Sequence, residues 1–219
     1  MEIYDTEEEQ VAAIKRWWKE NGKSTIAGIA VGIIVIVGWN QWKKNKQEKS
    51  SEASVLYEQL LTNIADEKYQ PSEKISNNII QQYGSTSYAT YASLLLAKTK
   101  VQQGDLESAK EIFRELMLKA NTIELKHVAR IRLIKLLLAT GENEKGLQLI
   151  AEVDQATTQG FSGSYDELTG DLYVALDRLG EARTAYQSAL REGIKSPLLQ
   201  FKLDDITVAE IVENDLIKE

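Results

Sequence analysis

Cysteine is missing from this chain of 219 residues, histidine occurs only once and proline only twice. Without cysteine the chain has no disulfide, no thiolate metal ligand and no thiol nucleophile, and it is compatible with either redox compartment. Few residues are aromatic, whereas Ala, Leu, Lys, Glu and Gln are abundant, and this balance favours helix over sheet. The sequence therefore predicts an all-α protein.

The polar side chains offer little catalytic chemistry. His127 would have to serve any histidine-dependent mechanism, and we interpret it as an ordinary helix-surface histidine. Neighbouring acids such as Asp204 and Asp205 point about 100° apart on a helix, so they do not form a cation site. We expect no enzyme activity, no cofactor, no metal and no small-molecule substrate.

Acidic residues are in excess after the first 46 residues. Residues 47–219 contain 19 Lys and Arg against 27 Asp and Glu, a net charge of −8. A surface of this sign repels the phosphate backbone of DNA or RNA. We therefore expect no nucleic-acid partner.

A stretch of 19 residues without a charge, residues 24–42, predicts a transmembrane helix. A core helix of a soluble protein keeps a polar stripe, whereas every face of this segment is apolar. All four tryptophans flank it, and about 31 Å of helix separates Trp18 from Trp39, which matches the hydrocarbon layer. We expect the tryptophans to anchor the helix at the two membrane interfaces: Trp17, Trp18, Trp39 and Trp42.

Two glycines within the span, Gly28 and Gly32, form a small-xxx-small pair on which another transmembrane helix could pack closely. Residues 1–23 predict an amphipathic segment lying at the membrane surface, and residues 43–49 a basic juxtamembrane linker. Four cationic residues lie on each side of the span, so charge alone does not decide its orientation. A cleaved signal peptide is the alternative, but no small-x-small cleavage pattern follows Trp39.

Residues 50–219 contain a degenerate repeat. In each of three copies, a residue on the first helix is followed after 12 positions by a small residue and after 16 by a large apolar one: Ala97, Ala109 and Phe113; Ile134, Gly146 and Ile150; Gly170, Ala182 and Tyr186. The spacing of 36 or 37 residues and this pattern are typical of tetratricopeptide repeats. Segments 50–65 and 72–83 predict a further hairpin, so we expect a solenoid of about four hairpins, ended by Pro197 and a short tail.

A repeat stack presents a concave surface lined by the first helix of each hairpin. The predicted register places one set of side chains on this surface as a partner groove: Tyr91, Leu94, Lys98, Val101, Val128, Ile131, Lys135, Leu138, Glu167, Asp171 and Val174. A neighbouring helix of the same chain could instead cover the apolar members. The helix near residues 126–138 is apolar nearly all round, so both of its faces need a cover.

The chain resembles the YfgM-type ancillary subunit of the bacterial SecYEG translocon. The resemblance rests on residues 1–4, Met-Glu-Ile-Tyr, on the run from Val11 to Lys23, on the glycine-containing span ending in Gly38 and Trp39, and on the repeats. It is specific at the N-terminus and generic in the repeats.

This resemblance implies an inner-membrane protein of a Gram-negative bacterium, with its N-terminus in the cytoplasm and its helical domain in the periplasm. It also implies two partners, the SecYEG translocon and a PpiD-like periplasmic chaperone, with membrane lipid around the span. The function implied is that of an adaptor or chaperone-like subunit. A membrane-anchored scaffold or regulator of another envelope assembly is the alternative that the same architecture leaves open.

Overall fold

The computed structural model describes the backbone of residues 7–216 and the side chains of residues 9–206. The described residues contain no β-strand. They form nine α-helices and one short 3₁₀ helix, Gln155–Thr157: α1 Glu7–Ala65, α2 Tyr69–Gln82, α3 Ser87–Gln102, α4 Leu106–Lys119, α5 Ile123–Ala139, α6 Asn143–Ala151, α7 Ser162–Ala175, α8 Leu179–Arg191 and α9 Pro197–Leu216. The prediction of an all-α protein is confirmed.

The chain divides into two compact units, residues 1–52 and 53–219. The described part of the first unit is helical throughout, because α1 begins at Glu7 and continues without interruption past residue 52. Residues 43–49, predicted as a linker, therefore form part of a helix. The residues of the predicted surface segment from Glu7 onward belong to the same helix. Residues 1–4, which support the resemblance, lie outside the described residues.

Helix α1 is the one described helix long and apolar enough to cross a membrane. Only 6% of its most apolar 18-residue window is buried within the protein, so its side chains do not belong to a protein core. An apolar surface of this extent is costly in water and stable in lipid. The feature agrees with the predicted transmembrane helix at residues 24–42.

In the second unit, four helical hairpins share one turn geometry. The second residue after each first helix has a positive φ, and the N–H of the residue that follows it donates to the carbonyl five residues earlier at 2.8–2.9 Å. This hydrogen bond closes a turn of six residues and satisfies a carbonyl that would have no partner at the helix end. The positive-φ residues follow one another at 37, 37 and 36 residues: Glu67, Gly104, Gly141 and Asp177. The solenoid of about four hairpins is thus confirmed, and its first hairpin joins the end of α1 to α2.

Four apolar clusters run along the stack, and successive hairpins share them. The largest joins α3, α4 and α5 through buried residues such as Phe113 and Leu133. The next contains Ile134, Tyr165 and Leu172 from α5 and α7, with half-buried residues of α6 packed against it. Helix α5 thus contributes to clusters on two of its faces, which explains why its sequence is apolar nearly all round.

Small residues lie where helices approach most closely. A Cβ atom at Gly146 would meet the side chain of Leu172 at 2.8 Å, and one at Gly170 would meet Cε1 of Tyr186 at 2.2 Å. Non-bonded carbon atoms do not approach this closely. Both positions therefore require glycine as long as Leu172 and Tyr186 keep their present positions. The repeat pattern therefore reflects a steric requirement at these two positions.

The C-terminal part of the chain differs from the prediction of a short tail after Pro197. Pro197 is the first residue of α9, a helix of 20 residues. Proline suits the first turn of a helix, since the N–H that it lacks has no partner there. Leu199 and Ile206 of α9 are buried in a cluster with Ala182, Tyr186 and Ala189 of α8, so this helix closes the described end of the stack.

Candidate partner groove

The first helices of the hairpins carry the predicted groove residues. These are α3, α5 and α7, and they repeat with the same 36- or 37-residue spacing as the turns. Equivalent residues, such as Lys98, Lys135 and Asp171, occupy the same register position on successive first helices. The structure therefore places the predicted set in a repeating arrangement, although its members differ widely in exposure.

On α3, three of the four predicted residues are accessible. Tyr91 and Val101 are each 39% exposed, and Lys98 is exposed. The prediction that Leu94 lines the groove is corrected: this residue is only 7% exposed and belongs to the cluster that contains Phe113 and Leu133. Its side chain stabilises the hairpin and is not available to a partner.

Helix α5 contributes one exposed and three half-buried residues. Lys135 is exposed. Val128 packs against the cluster around Leu133, whereas Ile131 and Leu138 pack against the cluster around Ile134. Part of the apolar surface predicted for the groove is therefore covered by the chain itself, and the remainder lies around Lys135.

On α7, the two acids are bound by the last helix. The Nζ atom of Lys202 on α9 donates to both carboxylate oxygens of Asp171 at 2.7 and 2.9 Å and to Glu167 at 2.9 Å. The hydroxyl of Tyr186 donates to the same Asp171 carboxylate at 2.8 Å. Of the three predicted groove residues on this helix, Val174 is the exposed one, at 38%.

This cluster changes the pKa of both donors. Burial alone would lower the pKa of Lys202, but its hydrogen bonds to Asp171 and Glu167 outweigh that effect and raise it. Burial, together with the neighbouring Asp171, raises the pKa of Tyr186. Both groups therefore keep their protons at neutral pH, and the ammonium of Lys202 offsets one of the two carboxylate charges where the groove meets α9.

Sequence reasoning missed the contribution of α1 to this surface. Tyr57 lies 37 residues before Leu94, and Leu61 lies 37 residues before Lys98, so both continue the register onto the first hairpin. Leu61 is 44% exposed, and the ring of Tyr57 lies 6.2 Å from that of Tyr91. The available signal was the repeat spacing: counting 37 residues back from Gly104 gives Glu67, which takes the turn position that glycine occupies in the next two hairpins.

His127 also differs from its prediction as a surface residue. It is 2% exposed, its ring stacks on Phe161 at 5.0 Å between centroids, and its Nδ1 lies 2.7 Å from the hydroxyl of Tyr165. Burial lowers its pKa below the usual value, an effect larger than that of any neighbouring group. His127 therefore joins α5 to α7 as a neutral core residue.

An ion-pair network links the second hairpin to the third. The side chain of Lys110 on α4 is almost fully buried, and it binds Glu107 on the same helix and Glu142 in the turn before α6. The pKa of Glu142 is lowered to about 2, mainly by the hydrogen bond from Lys110 and to a smaller extent by the one from Lys145. These contacts connect a second helix to the next turn in the stack.

In the first unit, the predicted packing face and interface anchors are accessible. Nothing lies within 4 Å of a Cβ atom placed at Gly28 or Gly32, so the small-xxx-small face is open. The tryptophans form two close pairs, Trp17 with Trp18 at 6.3 Å and Trp39 with Trp42 at 5.3 Å between centroids. All four are more than half exposed. Their use as membrane anchors and the helix contact at the glycines stay predictions.

Comparison with known proteins gives the same architecture. The model of the family described as "Tetratricopeptide repeat-like domain" matches residues 15–208. Among solved structures, "MamA RS-1 ArsTM double mutant" superposes with a TM-score of 0.56 at 14% sequence identity, covering 72% of this chain and 84% of that one. At this identity the likeness supports the solenoid fold alone.

Several curated relatives carry the name "Ancillary SecYEG translocon subunit". The relative from Aggregatibacter actinomycetemcomitans is 29% identical over 91% of this chain and 97% of its own length. Those from Escherichia coli strain K12 and Haemophilus influenzae are 24% and 25% identical, over 95% and 93% of this chain and 100% and 99% of their own lengths. The resemblance found in the sequence is thus confirmed, and with the match over residues 15–208 it shows that the chain belongs to the tetratricopeptide repeat-like domain family.

Proposed function

We propose that this protein is a membrane-anchored ancillary subunit of a SecYEG translocon, with a helical domain that binds polypeptides. The observation that carries the proposal is the near full-length similarity to proteins of that name, which extends across both the apolar N-terminal helix and the repeats. A likeness confined to the repeats would support only a generic interaction domain.

The anchor and the repeats have separate roles in this proposal. The segment of α1 at residues 24–42 spans the inner membrane, with residues 1–23 in the cytoplasm and residues 50–219 in the periplasm. The four tryptophans lie at the two interfaces. Gly28 and Gly32 form the face on which a transmembrane helix of the translocon packs. Anchoring restricts the domain to a thin layer beside the membrane, which raises its effective concentration at the translocon exit.

The exposed groove residues provide the binding surface for emerging chains or for a PpiD-like chaperone that receives them. Accessible apolar surface is offered on three of the four first helices, α1, α3 and α7, by Leu61, Tyr91, Val101 and Val174. Such a surface suits hydrophobic segments of an unfolded chain. The protein would then assist translocation by holding and handover, without catalysis.

Site-specific photocrosslinking in intact cells tests the two contacts separately. A crosslinker at Ile29, beside the glycine face, should capture a translocon subunit. A crosslinker at Val101 should capture a translocating chain or a periplasmic chaperone. A matched position on a second helix of the stack, Glu111, serves as the control and should give neither product. Capture of cytosolic proteins alone from Val101 would reject the proposed orientation.

A topology measurement tests the orientation directly. A C-terminal fusion to alkaline phosphatase, which is active only outside the cytoplasm, should give high activity, and a fusion after residue 20 should give none. Pull-down from a detergent extract distinguishes the translocon from the second candidate, another envelope assembly, by the identity of the partner. Recovery of a cell-wall or pilus complex without translocon subunits would favour the second candidate.

A further inference from the structure

Two lysines occupy equivalent positions in the groove. Lys98 on α3 and Lys135 on α5 are 37 residues apart, the spacing of the repeat in this region, and both are exposed. Neither is ion-paired with any residue whose side chain the structure describes. The domain that carries them has a net charge of −8, so they are an exception to its overall sign.

The nearest acids of the same register do not compensate these lysines. Asp171 is the equivalent residue on the next first helix, 36 residues after Lys135, and it is bound by Lys202 and Tyr186. Glu167, one turn earlier on α7, is bound by Lys202 as well. Lys98 and Lys135 are therefore unpaired at α3 and α5, whereas the two acids on α7 share Lys202, which offsets one of their two charges.

Apolar side chains surround the two positive charges. On α3, Tyr91 lies about two turns before Lys98 and Val101 about one turn after it, and each is 39% exposed. Leu138 lies three residues after Lys135 and is half-buried. A charge beside apolar surface interacts more strongly with an approaching charge than one fully surrounded by water. A ligand that covers the apolar residues would also exclude water from the lysines.

We propose that Lys98 and Lys135 give the groove a preference for amphipathic polypeptide segments that carry carboxylates beside their apolar side chains. This inference rests on the proposed polypeptide-binding function and names the class of segment that is bound. Helices α3 and α5 contribute to one apolar cluster, and the flexible side chains of Lys98 and Lys135 can adjust to two acids about 10 Å apart on one segment. Glutamates seven residues apart on one face of a helix have this separation.

The test uses the full-length chain in lipid nanodiscs and three fluorescent peptides with the same amphipathic leucine and tyrosine pattern. One carries glutamates at positions i and i+7, the second carries glutamines there, and the third carries lysines. Fluorescence anisotropy at about 50 mM and 300 mM salt gives the Kd of each. We expect the glutamate peptide to bind about tenfold more tightly than the glutamine peptide at low salt and to lose most of this preference at high salt. The lysine peptide should bind most weakly.

Two double variants identify the residues responsible. K98Q/K135Q should lose the preference for glutamate over glutamine while keeping the affinity for the glutamine peptide. K74Q/K119Q removes two exposed lysines from the second helices α2 and α4 and should keep the preference. Circular dichroism of both variants should equal that of the parent chain, because all four lysines lie on the surface.

Each contrary result rejects a distinct statement. Equal binding of the glutamate and glutamine peptides would reject the charge preference and leave polypeptide binding in place. A preference that persists in K98Q/K135Q would reject the role of these two lysines. Failure of all three peptides to bind would reject both the inference and the use of this groove for polypeptides, whereas the crosslink from Ile29 would still report association with the translocon.

Discussion

The close approach of α7 and α8 allows a prediction of stability from one methyl group. Gly170 on α7 faces the ring of Tyr186 on α8, and an added Cβ would lie 2.2 Å from Cε1 and 2.3 Å from Cδ1. Tyr186 is 2% exposed and its hydroxyl donates to Asp171, so the ring cannot turn away without losing that bond. Gly170→Ala should therefore force the two helices apart.

The expected loss is a balance of two effects. Overpacking of a core costs about 1–3 kcal/mol, and alanine is favoured over glycine within a helix by about 1 kcal/mol. Because the added Cβ would clash with a buried ring, the overpacking cost lies in the upper half of this range, and the variant should lose about 1–2 kcal/mol in the free energy of unfolding. For a chain of this size the loss corresponds to a decrease of roughly 2–8 °C in Tm, measured by circular dichroism in detergent micelles.

Gly180→Ala is the matched control. Gly180 lies in α8, and nothing is found within 4 Å of an added Cβ. This variant should be as stable as the parent or more stable by a few tenths of a kcal/mol, because the added methyl group restricts the unfolded chain without a clash. Equal stability of Gly170→Ala and Gly180→Ala would refute the steric argument. In a Y186L background Gly170→Ala should cost less than in the parent chain, since leucine lacks the ring.

Three further predictions concern the turns and two titrating groups. Glu67→Gly should raise the free energy of unfolding by about 1 kcal/mol, since glycine adopts the φ of 55° at this position without strain. Gly141→Ala should lower it by a similar amount, because alanine is strained at a φ of 76°. Thermal unfolding measures both changes. Glu142→Gln should flatten the loss of stability between pH 4.5 and 2, because the folded protein holds this carboxylate ionised to a pKa of about 2 whereas the unfolded chain protonates near 4.5. His127→Phe should flatten the loss below pH 6.5, because burial lowers the histidine pKa and the unfolded chain binds the proton first. A pH profile that is unchanged in either variant would contradict the corresponding assignment.

Much of the architecture could be predicted because it depends on local patterns. The uncharged segment at residues 24–42 and its flanking tryptophans are visible without any contact information. Gly104 and Gly141 mark two turns because few other residues adopt a positive φ at low cost. The small residues of the repeat could be found by spacing alone, since the helical period places them where the helices cross.

Which side chains of each helix are buried and which stay exposed could not be predicted from such local patterns. Leu94 and Tyr91 both matched the groove register, yet Leu94 packs into a cluster with Phe113 and Tyr91 remains accessible. Adjacent register positions differ by a few tens of degrees around the helix, and the position of the neighbouring helix decides which one is covered. Lys202 is another case, because its pairing with Asp171 and Glu167 joins residues 31 and 35 positions apart.

The sequence by itself determined the helical class, the apolar span and the repeat, because each is visible in the order of residues along the chain and needs no knowledge of which distant side chains meet. Only the tertiary structure decided that Pro197 begins a closing helix, that His127 is a neutral core residue, and that Lys98 and Lys135 keep free charges while Asp171 does not. These outcomes depend on which side chains from distant hairpins meet, and the physical reason is that burial and ion pairing are properties of the packed stack and of no single helix.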